Sequence, residues 1–168
     1  MNNYSQTLHQ IILNAYHLFQ KESKASFAQK PNSEKWSKKE ILGHLIDSAY
    51  NNHQRFLRAE DQGNLIFQGY RQDEWVKKNN YQNRQLEEIV DSWKFANLHL
   101  CQLIANLPDD LLRQETTEHN FHIIGMNRPE EGEPSSLSYL IWDYIFHLEH
   151  HLGQILESYE LISEPFKG

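Results

Sequence analysis

Histidines are the residues with the clearest potential for chemistry in this chain, because ten of them occur in 168 residues. Three stand close together, at positions 147, 150 and 151, where apolar residues recur at helical spacing. On a helix, His147 and His151 would lie about 40° apart and one turn from each other. Two imidazoles in that arrangement can hold one metal ion. His150 would point to the other side of the helix, where we expect solvent, and is the weakest candidate ligand.

A catalytic zinc site usually has three protein ligands and a water molecule, so a third ligand must come from elsewhere. His44 is the best candidate, because it falls at the border of the apolar stripe of another predicted helix, as His151 does. Packing of the two helices through those stripes would bring His44, His147 and His151 together. The same spacing also occurs in unrelated surface histidines. Spacing alone therefore does not distinguish a metal site from histidines that have no shared role.

Polar residues share one side of the predicted helix with His44. Ser48, Asn51 and Arg55 lie along that side, and we expect them to line a polar cleft that binds a cofactor. Two carboxylates lie one turn from a candidate ligand. Asp47 and Asp143 are therefore candidates to accept hydrogen bonds from the imidazole N–H groups.

The remaining histidines and the cysteine fit no site. His53 lies in the middle of an apolar stripe, which favours a packed core or an interface. His119 and His122 lie in a loop, where we expect solvated side chains, with a role in a lid as the alternative. Cys101 lies on a predicted helix with no nearby motif, which is typical of a packing residue. Three further histidines have no converging partner: His9, His17 and His99.

Apolar periodicity predicts four long helices and almost no strand. Ser37 and Glu40 form an S-x-x-E capping box at the start of the second helix. Two stretches without a sustained period, 61–83 and 113–134, read as long connections with room for crossovers. The brief strand candidate 121–124 has no partner. The fold class is therefore all-α, a four-helix bundle with long crossover loops. The helices are the first twenty or so residues, about six turns after Ser37, Leu86 to Leu107, and a segment from Ser135 or Ser136 to before Pro165.

Composition excludes several classes of protein. The formal net charge is -7, from 16 Lys+Arg and 23 Asp+Glu, which disfavours binding to nucleic acid. No apolar stretch is long enough to cross a membrane, and the first residues lack the features of an export signal. A single cysteine excludes an internal disulfide. We expect one cytoplasmic domain over residues 1–168.

Two segments resemble the DinB/YfiT-like superfamily of metalloenzymes. They are WSKKEILGHLIDSAYNNHQRF and, about a hundred residues later, HLEHHLGQI. The similarity in helix order covers nearly the whole chain, but its specific part rests on these histidine segments and on Gln154, a frequent residue of the family to which we assign no role. The resemblance implies a bundle that holds a divalent ion, zinc or nickel, through His44, His147 and His151.

The resemblance also implies a reaction class. Relatives include S-transferases that use a low-molecular-weight thiol, such as bacillithiol or mycothiol, and a thiol-dependent maleylpyruvate isomerase. The segment EILGHLIDS is most similar to the bacillithiol-transferase type. We therefore expect a thiol S-transferase that acts on a small molecule, with Arg55 or the long connections holding the acidic parts of the thiol. The alternative enzyme is a hydrolase that uses the same metal site.

A non-catalytic protein is the competing hypothesis. Trp142, Phe146, Tyr50 and Leu57 lie away from the histidine edges of their helices, and Gly153 permits close approach of another backbone. These residues predict a homodimer that acts as an interaction module, with a structural metal or none. The alternative is that the aromatic residues pack beneath the two long connections.

Overall fold

Four long helices, α1, α3, α5 and α8, form the frame of the protein in the computed structural model, which describes residues 2–166. No helix in that range is long and apolar enough to cross a membrane. The elements in chain order are α1 (Asn3–Phe19), α2 (Lys24–Phe27), α3 (Lys38–Gln62), α4 (Gln72–Asn79), a 3₁₀ turn (Tyr81–Asn83), α5 (Leu86–Asn106), α6 (Asp109–Arg113), β1 (Glu115–Thr116), α7 (Phe121–Ile124), β2 (Ser135–Ser136) and α8 (Leu137–Ile155).

Side-chain caps fix the starts of the two helices that carry the candidate ligands. Glu40 donates its backbone N–H to Ser37 Oγ at 3.2 Å, and Ser37 donates its own to Glu40 Oε2 at 2.9 Å, so the predicted capping box is confirmed. Tyr139 donates its backbone N–H to Ser136 Oγ at 3.3 Å at the start of α8. Each cap satisfies an amide that the first helical turn leaves free.

The long helices form a bundle in which each packs against two others. α1 packs against α5 and α8, and α3 packs against the same two helices. α1 and α3 therefore lie diagonally opposite each other, as do α5 and α8. The prediction of an all-α four-helix bundle with long crossover connections is confirmed. Residues 61–83, in which we expected room for a crossover, instead join the neighbouring helices α3 and α5. The first connection between diagonally opposite helices, α1 and α3, is made by residues 20–37.

The connections are more structured than the sequence predicted. Residues 61–83 contain α4 and the 3₁₀ turn. Residues 121–124, which the sequence left without a strand partner, form α7, in which Asn120 O accepts the backbone N–H groups of Ile123 and Ile124. Residues 115–116 pair with 135–136 as a two-stranded antiparallel sheet. Two-residue strands are too short to leave an alternating pattern in the sequence.

The two long connections are joined to each other. Asn120 donates to Phe67 O at 2.8 Å and accepts from Phe67 N at 3.1 Å. The prediction that His119 is solvated is wrong, since only 7% of it is exposed. Its Nε2 lies 2.6 Å from Glu133 O, and its Nδ1 accepts from the backbone N–H of Phe121 at 3.2 Å. The ring holds two parts of one connection together.

The segment after α8 covers part of that helix. Glu149 is fully buried and accepts hydrogen bonds from the Tyr159 hydroxyl at 2.6 Å and from the backbone N–H groups of Ile162 and Ser163 at 2.7 and 2.9 Å. Trp142 donates its indole N–H to Glu164 O at 3.0 Å. Trp142 therefore packs under this segment and not under the long connections.

Three other residues of the dimer hypothesis lie on the surface, whereas Phe146 is half-buried beside Trp142. Tyr50 and Leu57 are 59% and 44% exposed, and a Cβ on Gly153 would meet open space. The homodimer stays a prediction. His53 is half-buried and stacks on His99 with 4.7 Å between ring centroids, so the expectation that His99 has no converging partner is wrong.

Candidate metal centre

Packing of α3 against α8 brings three histidines from the two helices together. His44 Nε2 lies 3.1 Å from His147 Nε2, and the ring centroid of His151 lies 5.1 Å from that of His44 and 4.6 Å from that of His147. One nitrogen from each ring lies within 4.8 Å of the other two. The structure thus places the three histidines that the sequence singled out around one point.

The geometry and protonation of these rings fit a divalent metal ion. Two nitrogens bound to one tetrahedral zinc ion lie about 3.3 Å apart, close to the separation of the His44 and His147 Nε2 atoms. Burial lowers the pKa of His44 to about 3 and that of His147 well below its usual value, and it also lowers the pKa of His151. All three rings are therefore neutral at pH 7, which is the form that binds metals.

Gln154 orients one of the rings. Its side-chain oxygen lies 2.8 Å from His151 Nδ1, and its side-chain nitrogen lies 3.0 Å from Nε2 of the exposed His150. A hydrogen bond from Nδ1–H to Gln154 leaves His151 Nε2 with its lone pair free for a ligand bond. Gln154 had no predicted role, although its i+3 spacing from His151 is the signal of such a contact.

The expectation that Asp47 and Asp143 accept from imidazoles is wrong for the described residues. Asp47 Oδ1 accepts from the Tyr81 hydroxyl and from Asn79, each at 2.8 Å, and burial raises the pKa of this carboxyl to about 6. Both oxygens of Asp143 accept from residues 126–127, at 2.7 to 3.0 Å. Asp143 is also buried. The long connections supply donors that the sequence pattern of α3 and α8 does not contain.

His44 and His147 open onto a cavity of about 470 Å³, which we call the histidine cavity. His44, His147, Ser48 and Arg55 line it, so two of the three expected cofactor-binding residues lie there. Asn51 does not. It lines a neighbouring cavity of about 790 Å³, which we call the arginine cavity and which shares Arg55, Gly69 and Tyr70 with the first.

Tyr70 is a lining residue that the sequence analysis missed. It comes from the connection between α3 and α4, where no period marks which side chains face inward. Its ring stacks on His44 with 6.4 Å between centroids and lies 4.6 Å from the ring of Trp75. Burial raises its pKa to about 12, so the phenol is protonated at neutral pH. Tyr70 can therefore donate a hydrogen bond between the two cavities.

Cys101 is outside both cavities. Its Sγ donates to Ser5 O at 3.0 Å, only 2% of the residue is exposed, and burial raises the pKa of the thiol. The interpretation of Cys101 as a packing residue agrees with this environment.

Comparison with known proteins places this geometry in a family. The family model of the DinB superfamily matches residues 8–155, which include all three histidines. The chain belongs to the DinB superfamily. It resembles the solved structure of YfiT from Bacillus subtilis with a TM-score of 0.71 and 14% identity, over 92% of this chain and 86% of that one. YfiT is described as a candidate metal-dependent hydrolase with an unusual four-helix bundle topology.

A curated relative of this DinB protein comes from Oceanobacillus iheyensis and carries the name of a candidate metal-dependent hydrolase. The two are 28% identical over 121 residues, which are 71% of this chain. The match spans 63% of the relative's own length, less than two thirds of it.

Proposed function

We propose that His44, His147 and His151 bind a divalent metal ion, zinc or nickel, and that the protein transfers a low-molecular-weight thiol to an electrophilic small molecule. The observation that carries this proposal is the convergence of three neutral imidazoles, two of which line an open cavity. When bound, such an ion lowers the pKa of a coordinated water to about 7 or deprotonates a coordinated thiol outright.

The groups around the histidines support a thiol as the nucleophile. Metal-dependent hydrolases of the H-E-x-x-H type use a glutamate as general base. Among the described residues that line the histidine cavity, Asp143 is the one carboxylate, and both of its oxygens are held by residues 126–127. A thiol that is already deprotonated needs no such base.

The space beside the site supports a reaction of two organic molecules. The histidine cavity and the arginine cavity adjoin and share three lining residues. Ser48, Arg55 and Tyr70 can orient polar groups of the bound molecules there. In the transfer, a carbon–sulfur bond forms as the leaving group departs with its bonding electrons, and the thiol proton passes to solvent.

Hydrolysis is the second candidate function. It is supported by the names of the two relatives, both of which are described as candidate metal-dependent hydrolases. The same histidines would serve, and water would take the place of the thiol.

Metal content is the first test, measured by inductively coupled plasma mass spectrometry on untagged protein. We expect about one equivalent of zinc or nickel in the wild type and its loss in His147→Ala. His150→Ala is the matched control, because His150 is exposed and offers no nitrogen to the cluster. Equal metal content in His147→Ala and the wild type would contradict the site.

Reaction type is the second test, on protein reconstituted with each metal. Thiol consumption is followed with a panel of thiols and electrophilic acceptors, and ester and amide cleavage is followed in the absence of thiol. Thiol-dependent turnover that disappears in His147→Ala supports transfer. Turnover without thiol supports hydrolysis and contradicts the transferase.

A further inference from the structure

A positive charge is buried beside the histidines without an ion pair. Arg55 is 8% exposed, and its guanidinium donates to Asn52 Oδ1 and to Gln68 O, both at 3.3 Å. With its amide oxygen facing the guanidinium, Asn51 also accepts from Arg55, at 3.2 and 3.3 Å. All these acceptors are neutral, and the hydrogen bonds are long for a charged donor.

No carboxylate forms an ion pair with this charge in the part of the chain that the structure describes. The ion pairs found within residues 2–166 do not include Arg55 or Arg58. Asp143 lines the histidine cavity with Arg55 and favours the charged guanidinium, but its oxygens accept hydrogen bonds from residues 126–127, and burial still lowers the pKa of Arg55 on balance. Arginine is almost never buried without a paired anion, so the guanidinium leaves a place for one.

The arginine cavity concentrates positive charge on a protein that is acidic as a whole. Arg55, Arg58 and Arg71 line it, and no carboxylate does. Arg71 pairs with Glu74 at 2.8 Å, so Arg55 and Arg58 are the two guanidiniums available to a ligand. With Arg128 in the histidine cavity, four of the chain's six arginines line the two cavities, although the formal net charge is -7. Such a field attracts anions.

We propose that the arginine cavity binds the carboxylate or phosphate of an acidic small molecule, with Arg55 as the buried anchor and Arg58 at the open side. A guanidinium suits either oxyanion, because it can donate two parallel hydrogen bonds. The identification of this molecule as the thiol or its acceptor rests on the proposed function, but the anion site itself does not depend on a metal.

The separation of the two ends constrains the shape of the ligand. His44 and Arg55 are eleven positions apart on α3, so their backbones are about 16 Å apart along the helix axis. The long side chain of Arg55 shortens this span, and both residues line the histidine cavity, so one molecule can reach both with its acidic group away from its reacting atom. Remote contacts of this kind position a substrate without taking part in bond making.

The test measures anion binding to the full chain, both with its metal and after removal of the metal by a chelator. Succinate, inorganic phosphate and the neutral succinamide are titrated in a low-salt buffer, and binding is followed by ¹H–¹⁵N NMR. We expect saturable shifts at residues 51–58 and 66–71 with either anion, at a Kd on the order of 1 mM, and none with succinamide. The tighter of the two anions identifies the acidic group.

Variants assign the binding to the arginines. We expect Arg55→Gln to weaken binding at least about tenfold and Arg58→Gln about threefold. Arg113→Gln removes the same charge from the exposed surface of α6 and should change Kd by less than twofold. Arg55→Lys keeps the charge, and Arg58→Gln changes an exposed residue, so these two variants test the site even if Arg55→Gln fails to fold.

The outcomes separate this proposal from the metal site. Anion binding by the metal-free protein that Arg58→Gln weakens supports the anion site, whether or not metal binds. Absence of saturable binding by both anions, or equal weakening by Arg58→Gln and Arg113→Gln, overturns it while leaving the metal site intact. Equal binding of succinate and succinamide also overturns it, since charge would then play no part.

Discussion

Replacing Gln154 by methionine should weaken metal binding without weakening the fold. The change removes the acceptor that lies 2.8 Å from His151 Nδ1, while side-chain length stays similar. Without that acceptor, the proton of His151 can occupy either nitrogen and the ring can rotate. Loss of such a partner typically costs 10- to 100-fold in metal affinity, which is about 1.4 to 2.7 kcal/mol. Because Gln154 is exposed, we expect the free energy of unfolding of the metal-free protein to change by no more than about 0.5 kcal/mol.

The assay is competition for zinc against a chromogenic chelator, together with urea denaturation of the metal-free protein. Gln102→Met is the matched control, because Gln102 is exposed on α5 and far along the chain from the histidines. Gln154→Glu retains an oxygen acceptor and should bind metal within about threefold of the wild type. A loss of less than threefold in Gln154→Met, or an equal loss in Gln102→Met, would refute the role of this hydrogen bond in orienting His151.

Three further predictions concern stability. Burial lowers the pKa of His44 from 6.5 to about 3, so as pH falls below 6.5 the unfolded chain takes up a proton that the folded chain does not. His44 should therefore reduce the free energy of unfolding of the metal-free protein by about 1.4 kcal/mol between pH 7.5 and 5.5, measured by urea denaturation. The loss should be smaller in His44→Gln. Gly43→Ala places a Cβ within 2.1 Å of the buried Tyr81 ring and should destabilise the fold by at least about 1 to 3 kcal/mol. In the control Gly153→Ala, the new Cβ meets open space on a helix and should stabilise the fold by up to about 1 kcal/mol. Equal effects of the two substitutions would contradict the clash with Tyr81. Glu149→Gln keeps one acceptor oxygen but loses the charge, so hydrogen exchange at residues 159–163 should accelerate, and unchanged exchange would show that the carboxylate does not hold that segment.

The sequence singled out the three histidines that converge because helices impose a strict period. A capping box fixes where α3 begins, and apolar residues fix which face it buries, so the position of His44 at the border of that face can be worked out residue by residue. The same reasoning applies to His147 and His151 on α8. Periodicity does not show which helix packs against a given helix face. The resemblance of two short segments to a known family supplied that pairing.

The surroundings of the site were harder to predict because they come from the connections. The buried ring of His119 has its hydrogen-bond partner in Glu133 O. The buried carboxylate of Asp143 accepts from donors at residues 126–127. Backbone groups in a loop leave no pattern in the sequence, so neither burial could be read from side-chain types. Tyr70 escaped for the same reason, since it lies in a segment where no period separates inward from outward positions.

The division between helices and connections has a consequence for chemistry. His44, His147 and His151 stand on α3 and α8, whose packing is set by large buried faces, and the bundle is retained in YfiT at 14% identity. The cavity walls, by contrast, include Tyr70, residues 123–126 and Arg128, which belong to connections that tolerate change at little cost to the core. Substitutions in these connections can therefore alter which molecule is bound while the three imidazoles stay in place. Arg55 differs from these residues because, like Ser48, it stands on α3 together with His44. The position of its backbone relative to His44 is therefore set by the helix and not by the connections.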